Sequence, residues 1–100
     1  MRKRRFTYTG AIHHVMNHSI DDIALFPNKN WYNYFVNLIR KYSTIYDIRI
    51  FAFCLMKNHY HIVLENTSGK MADFMRVLES TYALNFNRYY GRKGPLFYDR

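Results

Sequence analysis

His59 and His61 stand two residues apart at the head of the apolar run His59-Tyr60-His61-Ile62-Val63-Leu64. In an extended chain residues i and i+2 project from one face, so both imidazoles point the same way. A histidine is costly to bury unpaired and is no strong strand former, so such a pair invites a chemical role, with metal coordination the first to weigh. The competing reading is two imidazoles hydrogen-bonded within the strand, and for an isolated His-x-His that plainer reading is the commoner. His13 and His14 are adjacent, so on a strand they face opposite ways and at most one of them approaches the pair. The lone Cys54 excludes an internal disulfide and a Cys-rich zinc cluster; in its strand pattern it reads as a small buried apolar residue.

A net charge of +8 on 100 residues, with ten tyrosines, is the footprint of a polyanion binder, and nucleic acid is the leading partner. Three groups of residues could make the contacts. Arg4 and Arg5 belong to a basic arm, Lys57 sits beside the histidines, and Arg88, Arg92, Lys93 and Arg100 with Tyr90 and Tyr98 form a basic and aromatic tail suited to phosphates and stacked bases. A solvated helix end is the plain alternative for that tail. No apolar run approaches the roughly 20 residues that cross a bilayer, and the basic start lacks the apolar core of a signal peptide. A soluble, cytoplasmic protein with no membrane partner is expected.

The elements that position these residues can be read from pattern. Phe6 to Met16 is rich in β-branched and aromatic residues and reads as a first strand. Asn17 to Asn30 is a loop with a short helical turn around Ile20 to Leu25, and Asn28 or Asn30 can cap the helix after it. From Trp31 to Tyr46 apolar residues recur at three- and four-residue steps through Phe35, Leu38, Ile39, Tyr42 and Ile45, an amphipathic helix. Ile48 to Met56 is apolar on both faces, as a central, doubly covered strand would be. Lys57-Asn58 is a tight turn into an antiparallel third strand, His59 to Glu65. Ser68 is placed to cap a second helix from about Lys70, whose stripe runs through Met71, Phe74, Met75, Leu78, Tyr82, Phe86 and Tyr89. Gly91 and Gly94-Pro95 stop it.

The order β-α-β-β-α is the ferredoxin-like split βαβ arrangement of an α+β fold, without its final strand. One domain spanning 1–100 is expected. A missing last strand leaves an open sheet edge, which predicts a homodimer, a segment-swapped oligomer or poor solubility.

The stretch Cys54-Leu55-Met56-Lys57-Asn58-His59-Tyr60-His61-Ile62-Val63-Leu64-Glu65 resembles the His-hydrophobe-His strand of the single-tyrosine HUH transposases, most closely the branch associated with repetitive extragenic palindromes. His14-Val15-Met16-Asn17 resembles the end of that family's first strand. Tyr82 to Phe97, with Asn87-Arg88-Tyr89-Tyr90-Gly91-Arg92 at its centre, resembles the family's next helix and Gly-basic turn. The resemblance implies cleavage and rejoining of single-stranded or hairpin DNA through a phosphotyrosine intermediate. His59 and His61, with a third polar ligand, would hold Mg²⁺ or Mn²⁺ against the scissile phosphate, weakly until DNA joins the site. In the family the tyrosine nucleophile and the third ligand lie on a helix after a fourth strand, and both are expected beyond Arg100. By that reading the chain is the first two-thirds of the domain, an inactive fragment of a bacterial, nucleoid-associated transposase. Lys57, where the family commonly has Pro, and His18-Ser19, where it commonly has Arg-Gly, depart from the pattern. The alternative is a non-catalytic single-stranded nucleic-acid binding module of the same architecture.

Overall fold

A computed structural model describes residues 7–99, so the expectations for Arg4, Arg5 and Arg100 lie outside the described residues. The elements in chain order are β1 (Ile12–His18), a 3₁₀ turn (Ile20–Asp22), α1 (Lys29–Tyr46), β2 (Arg49–Leu55), β3 (His59–Glu65) and α2 (Met71–Tyr90). The first strand is shorter and later than the sequence pattern suggests. Thr9-Gly10 turns before it, and the strand runs on to His18 because its partner β3 begins at His59, directly opposite.

The three strands lie in the order β1-β3-β2, both pairs antiparallel. β3 is therefore the central strand and β2 an edge, which corrects the reading of residues 48–56 as a doubly covered centre. A bulge accounts for its apolar residues falling on both faces. Ile50 opposes Leu64 and Ala52 opposes Val63, so Phe51 is the extra residue. Ile50, Phe53 and Leu55 then share the helix-covered side, while Ala52 and Cys54 share the open side. Cys54 is exposed, not buried, as a result.

α1 and α2 cover one face of the sheet. Val15, Tyr60, Ile62 and Leu64 from the strands pack on Phe35, Leu38 and Ile39 of α1 and on Phe74, Leu78 and Tyr82 of α2. Asn28 caps α1 by accepting the Trp31 N–H at 3.1 Å, whereas Ile45, assigned to the apolar stripe, lies exposed at the helix end. The cap of α2 is shared. Ser68 Oγ accepts the Lys70 N–H at 3.1 Å, and Asn66 Oδ1 accepts the Met71 N–H at 3.0 Å. Gly91 ends α2 at φ +65°, a left-handed position that a side chain would strain.

A polar knot sits inside this apolar layer. Glu79 of α2 is buried and accepts from the Tyr60 hydroxyl and, at 2.9 Å, from Asn17 Nδ2. Asn17 also ties the chain after α2, since its Oδ1 accepts the Asp99 N–H at 3.1 Å. Leu96 and Phe97 are buried there, Ile20 N–H donates to Leu96 O at 2.9 Å, and Tyr98 N–H donates to His18 O at 2.8 Å. Among the described residues a single bridge, between Ser19 and Phe97, extends the sheet beside β1 in place of a fourth strand. Its position, next to β1, is that of the final strand in the ferredoxin-like arrangement.

Candidate metal and nucleic-acid site

An antiparallel sheet can cover one face and leave the other to water, and this one does. Register decides which residues stand on the open face. His14, Met16 and His18 of β1 oppose Val63, His61 and His59 of β3, and Cys54 of β2 opposes His61. Four histidines from two adjacent strands therefore share one solvent-facing surface, while Tyr60, between His59 and His61, points to the core and is fully buried. Met16 and Met56 remain 48% and 44% exposed on its borders.

The His59 and His61 rings lie 5.1 Å apart between centroids, near perpendicular. Each has its own support. Asn58 Nδ2 donates to Asp22 Oδ1 at 3.1 Å, which turns the amide oxygen towards His59 Nδ1, 3.0 Å away. An amide oxygen only accepts, so His59 Nδ1 carries the proton and its Nε2 lone pair is directed elsewhere. His61 Nδ1 shares a hydrogen bond of 2.9 Å with His14 Nε2, so one of these two nitrogens is unprotonated. This is how metal-binding imidazoles are usually oriented: one ring nitrogen is held by a neighbour and the other is left to bind.

Of the two candidates on β1, His14 is thus the one that reaches the pair. His13 faces away, with Nε2 2.6 Å from Thr7 Oγ1. His14, Asn58 and Asp22 complete the surroundings of the pair; spacing leaves His14 as one of two candidates and does not single out Asn58 or Asp22. Asn58 could have been suspected from its position next to His59, but nothing in the sequence marks Asp22. Among the described residues no three His, Cys, Asp or Glu side chains converge as a closed metal cluster. Two imidazoles make half a site, of a kind that suits Mn²⁺ or Zn²⁺ better than oxygen-seeking Mg²⁺.

The basic candidates divide by location. Lys57 is exposed in the turn directly before His59. Arg88 and Tyr90 are exposed on the last turn of α2, away from the histidines. Arg92 is half-buried and braces the turn after α2 by donating to Asn87 Oδ1 and, at 3.4 Å, to Pro95 O. Lys93 is exposed in that turn. Tyr89, expected in the core stripe, is 73% exposed because α2 extends past the end of the layer it covers.

The tyrosines also separate. Burial pushes the Tyr82 phenol far above its ordinary value, with the neighbouring Tyr90 and Tyr34 adding to the effect, and the hydroxyl donates to Leu25 O. Such a group stays protonated and is no nucleophile. Tyr98 is 67% exposed and stacks on His18 with 4.7 Å between centroids, at the margin of the histidine face.

The fold agrees with the comparisons. The solved structure of a proposed transposase from Deinococcus radiodurans R1 is similar, with a TM-score of 0.62 at 16% identity over 91% of this chain and 70% of that one. At that identity the likeness speaks for the fold. No curated protein matches the chain. Residues 7–99 match the family described as IS200-like transposase, and the chain belongs to it.

Proposed function

We propose that the open face of the sheet receives a single-stranded or hairpin DNA phosphate over His59 and His61, for cleavage and rejoining through a phosphotyrosine intermediate. The observation that carries this is the 3.0 Å hydrogen bond between His59 Nδ1 and Asn58 Oδ1. Asp22 and Asn58 fix the proton on Nδ1, leaving Nε2 as a lone-pair donor beside His61 on an exposed face. His59 and His61 would hold a divalent cation, which when bound offsets the negative charge that develops on the phosphate oxygens. His14 steadies His61, and Lys57 adds a positive charge at the edge of the face where a phosphate would approach. DNA transposition is what the family does, and a DNA partner would put the protein at the nucleoid. Tyr60 and Tyr82 are unavailable as nucleophiles, the first turned to the core and the second held neutral.

The test is hairpin DNA affinity with and without Mn²⁺, with nicking and covalent adducts scored in the same reactions. Mn²⁺ should tighten binding by the wild-type chain and have no effect on His59→Ala or His61→Ala. A Tyr98→Phe control shows whether any adduct arises within the chain. DNA binding indifferent to the metal and to both histidines would refute this assignment and leave the non-catalytic binding module in its place.

A further inference from the structure

A second surface has the shape and lining of a ligand site. Where the start of α1 crosses the end of α2 lies an open cleft of about 630 Å³, formed by the helices that cover the sheet face opposite the histidines. Trp31, Tyr34 and Tyr89 wall it, with Asn30, Asn85 and Arg88 among them. The volume is in the range of roughly 300–1,000 Å³ typical of pockets for ligands of drug size, and a mononucleotide is such a ligand.

The rings are held in place before any ligand arrives. Trp31 packs on Tyr82, Phe86, Tyr89 and Tyr90 with centroid distances of 5.2–5.9 Å. Asn85 Nδ2 donates to the Tyr34 hydroxyl at 2.5 Å. Yet Tyr89 stays 73% exposed, an arrangement that core packing does not require. None of the residues lining the cleft is acidic, and the first turn of α1 carries no acid either. On a chain of net charge +8, that leaves Arg88 and the positive end of α1 to favour an anion.

We infer that this cleft takes an unpaired nucleotide of a DNA strand, its base stacked on the exposed face of Tyr89 and its phosphate on Arg88. Aromatic faces accept any base, amide side chains such as Asn30 and Asn85 can meet a base edge, and a guanidinium suits a phosphate. An apolar ligand would make no use of Asn30 or of the Arg88 guanidinium, and an acidic peptide would make no use of three rings. The inference rests on the DNA-binding reading proposed above and adds a grip on the strand separate from the histidine face.

Trp31 is the chain's one tryptophan, so its fluorescence reports on the cleft. The experiment titrates the whole chain with oligodeoxythymidylate and with an abasic strand of equal length, following Trp31 emission and, on labelled strands, anisotropy. The thymidylate should quench Trp31 and bind on the order of tenfold more tightly than the abasic strand. Tyr89→Ala, at an exposed position, should remove that advantage. Arg88→Ala should weaken both strands. Anisotropy that shows DNA binding with Trp31 emission unchanged, or with Tyr89→Ala as tight as wild type, would overturn the cleft and leave the DNA reading intact. No DNA binding by anisotropy would overturn both.

Discussion

The two faces of β3 carry opposite duties along one run of seven residues. Tyr60, Ile62 and Leu64 are fully buried against the helices, whereas His59, His61 and Val63 stand on the open side. On the covered face, side chains are held by packing and by the Glu79 knot. On the open face they are held by hydrogen bonds to neighbours, His14 for His61 and Asn58 for His59. On the function proposed above, stability and chemistry are separated by the pleat of a strand, and substitutions on alternate residues should move one without the other.

The largest separation is expected at the histidines. Replacing both His59 and His61 with alanine should abolish any Mn²⁺ dependence of DNA binding, while stability by urea unfolding changes by less than about 0.5 kcal/mol. A collapse in stability would show that the open face supports the fold after all. The reverse experiment is Glu79→Ala. It removes the acceptor shared by Tyr60 and Asn17 from a buried site and should cost about 3 kcal/mol, with metal dependence retained in the protein that remains folded.

A smaller effect tests the support of the pair. Asn58→Ala leaves both imidazoles in place but frees the His59 ring, and loss of such an orienting partner costs about 10- to 100-fold in metal affinity. Mn²⁺ titration of DNA binding reads it directly. If Asn58→Ala bound Mn²⁺ like the wild type, the tautomer would have no bearing on the metal.

How far the sequence alone exposes this division depends on the range of the interactions involved. The His59–His61 pair, the turn at Lys57-Asn58 and both helices are legible because each rests on periodicity over a few residues. The contact of His14 with His61 spans 47 positions and depends on the register of β1 against β3, which no local pattern encodes. The edge position of β2 is hidden for a similar reason. Its apolar run reads as doubly buried until the bulge at Phe51 shows that the alternation has been shifted by one residue. Glu79 is missed because a carboxylate in a helix reads as a surface residue, and only the tertiary fold brings Tyr60 and Asn17 to it. Tyr89 fails in the opposite direction, since helical spacing says which face a residue shares but not where the covered layer ends.

The smallest expected effect concerns Tyr82, whose ring packs in the covered layer like those of Tyr60 and Phe35 but whose hydroxyl is committed to Leu25 O. Tyr82→Phe keeps the ring and strips the hydrogen bond, leaving a buried carbonyl short of a donor, at a cost of about 1–2 kcal/mol at neutral pH. The same residue gives the fold an alkaline weakness with a definite sign. In the unfolded chain its phenol ionises near its ordinary value of about 10, whereas burial holds it protonated in the folded state. Above about pH 10 the unfolded state therefore binds fewer protons than the native state, and stability falls as pH rises. The contribution is fully present below that pH and lost progressively above it. Tyr82→Phe should start from a lower stability at pH 8 and decline less steeply towards pH 11 by urea unfolding. Parallel curves for the two proteins would mean that the Tyr82 hydroxyl does not set the alkaline loss and does no more than fill its place in the covered layer.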